Sequence, residues 1–348
     1  MSSPRTLVSA AFLIASACTA ADPGESSATS ESGDASESDP TLRTGDHFFP
    51  DGAPWTTPVE DAAVADDSEM LIAALQSRNW GLDRFQIDFS MEVLTADAAT
   101  EARSFTPTGD FYTPDCDDVP MPVPADGNVE GESGYACESD GDCHLIVRDD
   151  ASAKLYEMWR ADIRGDSFRG GCLAVWSMDT LYPPEGRGEQ CTSADAAGYP
   201  IAPLLFTADE VAAGEIDHAI RFILPNDRIR DGEYVHPASH ATNSQGGGAD
   251  AMPYGARLRL RADFDLERIE DPDARVVAKA LQRYGMFLAD GGNVALTARS
   301  DVRTTAKWDA LFEEGSHALV GIEPADFEVL AWEGDPIPLT FACDRNGL

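Results

Sequence analysis

Ten short runs with strand composition crowd the chain between residues 143 and 342, and only three helical patterns interrupt them. The runs are CHLIV (143–147), KLYEMW (154–159), CLAVWSM (172–178), HAIRFIL (218–224), EYVH (233–236), ARLRLRADF (256–264), MFLA (286–289), VALTA (294–298), FEVLAW (327–332) and PLTFA (338–342). An earlier run gives the cleanest pattern. Phe85, Ile87, Phe89, Met91 and Val93 alternate with Gln86, Asp88, Ser90 and Glu92, the period-two signature of a half-buried strand. Many strands with few helices between them argue against a doubly wound α/β fold. The expectation is a mainly β protein, an antiparallel β-sandwich or jelly-roll-like core with a few peripheral helices. Asp290-Gly291-Gly292-Asn293, between MFLA and VALTA, reads as a hairpin turn.

Helix signals are few but specific. Asp67 or Ser68 caps a helix that Asn79 to Gly81 stop. Thr207 and Glu210 form a capping box, with Gly214 ending that helix. Asp271 before Pro272 opens a helix closed by Gly285, and a last one is expected near Thr305 to Glu314, burying Trp308, Leu311 and Phe312.

The chain opens MSSPRTLVSAAFLIASAC. Arg5, an apolar stretch from Leu7 to Ile14 and small residues before Cys18 have the form of an export signal. About a dozen apolar residues are too few to remain as a membrane span. The small residues ending in Cys18 resemble a bacterial lipobox, which implies cleavage after residue 17 and lipidation of Cys18. From Asp22 to Asp39 there are six acids, six serines and no basic residue, the composition of a flexible tether. The expected organisation is a signal peptide over 1–17, a lipidated cysteine and tether over 18–45, and a single β-rich domain over 46–348. The partner so implied is a membrane, reached through the lipid anchor.

With Cys18 set aside, Cys116, Cys137, Cys143, Cys172, Cys191 and Cys343 remain, an even number that permits three disulfides in an exported chain. Fifteen connectivities are open. The shortest loops favour Cys137 with Cys143 and Cys172 with Cys191, leaving Cys116 for Cys343. Asp126, Asn128, Glu130 and Gly131 imitate the start of a calcium loop, but Cys137 stands where the closing Glu belongs, so no metal is assigned. No cofactor motif occurs either. Sixty-two acids against twenty-five Lys and Arg give a net charge of −37, which argues against a nucleic-acid partner.

Candidate chemistry lies in constellations. Arg257, Arg259 and Arg261 share one face of a strand and could bind carboxylates or sulfates of a sugar polymer, or simply pair with Asp263 and Asp265 in solvent. Of the six histidines, His218 opens a strand, while Pro237 keeps His236 and His240 off a common helix face. A His near a Tyr and an Arg suits β-elimination on a uronic acid. Paired acids drawn from Asp195, Asp209, Glu215 and Asp217 suit glycoside hydrolysis, with Glu210 reserved as a helix cap. Trp159, Trp176, Tyr156, Tyr199 and Tyr234 could stack on sugars or fill the core.

The stretch CTSADAAGYPIAPLLFTADEVAAGEIDHAIRF (191–222) resembles a signature of a family of secreted bacterial proteins. The likeness extends to FPDGAPW, DCHLIV, KLYEMW, YVHPASHAT, PYGARLRLRADFD and RYGMFLADGGN, and so covers most of residues 48–300. His218, His240, Ser193, Asp195, Tyr284 and Asp290 match its pattern, whereas the family carries Trp at the position of His236. The resemblance implies secretion and draws attention to those positions; it implies no reaction.

Together these readings give an extracytoplasmic lipoprotein that binds, and as an enzyme would cleave, a polysaccharide by lyase or hydrolase chemistry. His218 or His240 would move the proton, with Asp195 and Asp290 as partners and Arg257, Arg259 and Tyr284 as substrate contacts. The alternative is a non-catalytic envelope scaffold or adhesion lipoprotein. Convergence of His218, His240, Asp195 and Arg259 in one cleft separates the two.

Overall fold

The alternating run from Phe85 to Val93 does form strand, but it serves two sheets. The computed structural model, which describes residues 47–111, 113–243 and 246–347, puts β1 (Ile87–Met91) in a six-stranded sheet and β2 (Val93–Ala96) in a four-stranded one. Glu92 stands at the break. It is buried and accepts hydrogen bonds from the Asn128 side chain and from Arg303 Nε. A residue that alternation assigns to solvent is therefore the polar joint between the sheets. The signal peptide, Cys18 and the tether lie outside the described residues.

The four-stranded sheet continues through β3 (Leu145–Asp149), β4 (Lys154–Trp159) and β5 (Cys172–Ser177), in the order β5-β4-β3-β2. Both of its faces are covered. Ile146, Leu155, Ala174 and Trp176 join the larger core, and Leu145, Val147, Met158 and Leu173 join a smaller one. Burial on both faces removes the need for polar alternation, which is why CHLIV and CLAVWSM read as near-continuous apolar runs.

The six-stranded sheet adds β6 (Ile220–Leu224), β7 (Arg257–Leu260), β8 (Met286–Gly291), β9 (Leu296–Arg299) and β10 (Phe327–Val329), in the order β1-β9-β6-β8-β7-β10. Strand β6 lies between β8 and β9, parallel to the first and antiparallel to the second. Asp290 to Asn293 is thus no hairpin turn. The chain there crosses over β6, about 10 Å at two strand spacings. Parallel ladders occur in both sheets, β1 with β9, β6 with β8 and β2 with β3. The fold is mainly β, as expected, but mixed ladders replace the antiparallel jelly-roll winding. Of PLTFA only Pro338, with Ile337 before it, joins a ladder, and Phe341 is exposed.

Four α-helices flank the sheets among the described residues: α1 (Ser68–Arg78), α2 (Ala208–Ala213), α3 (Pro272–Arg283) and α4 (Trp308–Leu311). The Thr207–Glu210 box closes in both directions, and Gly214 takes the left-handed φ of 87° that ends α2. Asp271 accepts from the backbone N–H groups of Asp273 and Ala274. The last helix is a single turn, because Phe312 is already extended, although Trp308 and Phe312 are buried as expected. No helix of the described residues is long and apolar enough to cross a membrane.

Cys116–Cys172, Cys137–Cys143 and Cys191–Cys343 form the disulfides. The short Cys137–Cys143 loop is as expected; the Cys172–Cys191 and Cys116–Cys343 pairings are not. Backbone pairing overrides loop length in both cases. Asp117 N–H bonds the Leu173 carbonyl, which draws Cys116 alongside the first residue of β5. Gly188 and Glu189 pair with Arg345 and Asp344, which draws Cys191 to Cys343. Three disulfides fit an oxidising, extracytoplasmic environment.

Candidate functional site

Register dictates which side chains meet. Phe222 pairs with Leu296, and Ile87 with Leu296, so these apolar residues share one face of the six-stranded sheet. By alternation Asp88, Thr297, Arg221, Arg257 and Arg259 share the other. That polar face is covered by the loop around Asp195 and by residues 54–62. Charged groups in such a place need partners.

Arg221 is the centre. Its Nε and Nη2 hold the two oxygens of Asp195 at 2.8 and 2.9 Å, and its Nη1 donates to Thr297 Oγ1 at 2.9 Å. Nη2 also reaches Asp290 Oδ2 at 3.4 Å. One guanidinium nitrogen therefore serves two carboxylates. Asp195 is 1% exposed, while the Asp290 side chain is 25% exposed. Burial, together with the Asp195 charge, outweighs Arg221 and pushes the Asp290 carboxyl up to about 7.

A second charge pair adjoins it. His144 Nδ1 lies 2.6 Å from Glu130 Oε2, and its Nε2 lies 2.9 Å from the Ala194 carbonyl. Both partners can only accept, so both ring nitrogens carry protons and the ring is a cation. Burial alone would lower the His144 pKa, but the Glu130 charge and hydrogen bond raise it to about 9. Burial opposes Glu130 in turn, and His144 and Arg221 bring it down to about 2. Asp88, which takes hydrogen bonds from Ser90, is raised chiefly by burial. At the rim Asp142 is exposed, and its Oδ1 accepts the Trp159 indole N–H at 2.9 Å. The Asp142 charge acts on both Asp290 and His144.

Of the residues expected from sequence, Asp195 and Asp290 are brought together. The others are not. His218 donates to Glu210 and to the Ala219 carbonyl, on the wall of a cavity of about 520 Å³ shared with His47, Phe48, Trp55 and Arg148. Its pKa is raised, the Glu210 charge overcoming burial. His240 donates to the Ala196 carbonyl and burial lowers its pKa. Arg257 is taken up by the carbonyls of Tyr284, Pro54 and Thr57. Arg259 is taken up by Glu328 and the carbonyls of Val59, Glu60 and Ala62. These two arginines staple residues 54–62 to the sheet and leave no fork for a sugar; Arg261 alone of the three is in solvent, against Asp263. Tyr284 is buried, so its ring is no substrate contact. His236 pairs with Glu189.

Arg221, His144, Glu130, Asp88 and Asp142 join the site without being among the residues the sequence singles out for it. Arg221 carries a legible signal, the one charged residue inside the otherwise apolar AIRFIL (219–224), where a charge is tolerated only with a partner. Comparison of the chain with protein-family models, with curated proteins and with solved structures returns no match.

Proposed function

We propose that the protein is an extracytoplasmic lipoprotein that binds and hydrolyses a polysaccharide at the Asp290 site. In this reading Cys18 carries the lipid, the acidic tether spaces the domain from the membrane, and the two main sheets form a sandwich across which the glycan lies. Fold alone does not select a substrate. One observation carries the reading: Asp290, the partly exposed partner of Arg221 Nη2, holds its proton near neutral pH, and the exposed Asp142 lies near enough for its charge to act on it. Carboxyl groups in contrasting environments are what acid–base cleavage of a glycosidic bond requires. Asp290 gives its proton to the departing glycosidic oxygen. Asp142, exposed beside Trp159, takes a proton from the water that adds to the anomeric carbon. Trp159 offers its ring to a sugar face. His218, His240 and Arg259, bound to separate partners, play no part.

The scattering of those three residues favours a second reading, the non-catalytic scaffold, and the same experiment separates the two. The full chain is screened against neutral and anionic polysaccharides for binding and for release of reducing ends. Hydrolysis is expected, and Asp290→Asn is expected to lower it by about 10²-fold or more, the scale of a lost general acid, with affinity retained. Binding without release selects the scaffold. Absence of both overturns the proposal.

A further inference from the structure

Beside the Asp142–Trp159 rim lies a cavity of about 360 Å³ lined by Thr108, Cys137, the carboxylates of Asp110, Asp140 and Asp162, and the two arginines Arg160 and Arg169. Its two arginines stand out in a chain of net charge −37, where most arginines among the described residues are matched to a carboxylate or a carbonyl. Arg169 lies directly across the ladder from Asp162, the natural cross-strand partner. Asp162 is turned elsewhere: both its oxygens bind Arg164 Nε, at 3.0 and 3.2 Å, and it accepts the Cys137 N–H. Among the described residues no carboxylate comes within ion-pair reach of Arg169, which is exposed. Arg160 has one partner, Asp140, itself 90% exposed, and an ion pair so open to water is readily exchanged.

The cavity adjoins the proposed cleavage site. Arg160 lies over the Trp159 ring at 5.5 Å, its backbone N–H bonds the Asp142 carbonyl at 2.8 Å, and Phe111, next to Asp110, packs edge-on against Trp159 at 5.7 Å. A sugar set against the part of the half-buried Trp159 ring that Arg160 and Phe111 leave uncovered would extend its neighbouring residue toward the two guanidinium groups. Planar, forked donors match a planar carboxylate better than a hydroxyl.

We propose that Arg169 and Arg160 form a subsite for the carboxylate of a uronic acid, so that the polysaccharide is an acidic one. This rests on the glycan reading of the Asp142–Trp159 site and narrows its substrate class. The experiment measures binding of the full chain to an oligouronate and to a neutral oligosaccharide of equal length, for wild type and for Arg169→Ala. The oligouronate is expected to bind more tightly. Arg169→Ala is expected to weaken it by about tenfold, the worth of one charge-assisted pair, while leaving the neutral sugar unchanged. Equal affinity for the two sugars, or an oligouronate affinity indifferent to Arg169→Ala, overturns the subsite and leaves the glycan reading standing. Failure to bind either sugar overturns both.

Discussion

Arg221 and Arg259 sit on the same face of the same sheet, both buried, and each grips a carboxylate, yet they do different work. Arg259 turns Nε and Nη2 to Glu328 and Nη1 to the carbonyls of Val59, Glu60 and Ala62, so each guanidinium nitrogen ends on a fixed acceptor of the fold. Arg221 holds Asp195 and Thr297 firmly but meets Asp290 only at 3.4 Å, at the edge of hydrogen-bond length. The first is a staple. The second is a staple with one loose end, and the loose end is a partly exposed carboxyl whose proton the surroundings retain. A buried arginine is thus informative about function through the donors that the chain leaves incompletely met.

Removing either guanidinium should be the most damaging change in this comparison. Arg221→Leu strands Asp195, and Arg259→Leu strands Glu328 and three carbonyls; each is expected to cost about 3–5 kcal/mol in chemical denaturation. The second partner separates them. Adding Asp195→Leu to Arg221→Leu removes the stranded charge and should restore much of the stability, since apolar groups often replace a buried ion pair at little cost. Adding Glu328→Leu to Arg259→Leu should restore less, because the carbonyls of residues 59–62 stay unpaired. Equal recovery in the two double variants would erase the distinction between them.

Much of this was legible in the sequence and some was not, for identifiable reasons. Local signals acted locally: the Thr207–Glu210 box and the Asp271–Pro272 start lie where the pattern puts them. Pairing between distant strands carries no such signature. Glycine and asparagine after MFLA describe a tight connection equally well whether the chain turns back or crosses a strand, so the insertion of β6 was invisible. The disulfides failed the same way, with loop length favouring Cys172–Cys191 and long-range ladders deciding otherwise. In the site, the sequence points to Asp195 and Asp290 but not to Arg221, the residue that joins them. Alternation shows that Arg257 and Arg259 share one face but not that the face is closed, because the covering segment, residues 54–62, is some 200 positions away.

The smaller effect concerns protons, and its sign follows from the directions of the shifts. Asp290, raised to about 7, and Glu157, also raised to about 7 by burial despite bonds from Ile201 and Ala202, contribute stability fully below their unfolded values near 4. That contribution is lost as pH rises through 7. His144, raised to about 9, adds stability that is complete below roughly 6.5 and lost through 9. Glu130, held near 2, acts oppositely, contributing above about 4.5 and failing only in strong acid. The melting temperature should therefore peak between roughly pH 4 and 5 and fall toward pH 9. Asp290→Asn keeps an acceptor for Gly291 N–H but has no charge to desolvate, so it should flatten the fall between pH 5 and 8 and melt higher than wild type at pH 8. Glu328→Gln, which takes the charge from the closed arginine instead, should melt lower than wild type at pH 8, where Asp290→Asn melts higher. A wild-type melting temperature that climbs from pH 5 to 8, or an Asp290→Asn curve parallel to it, would show that the loose end at Arg221 holds no proton.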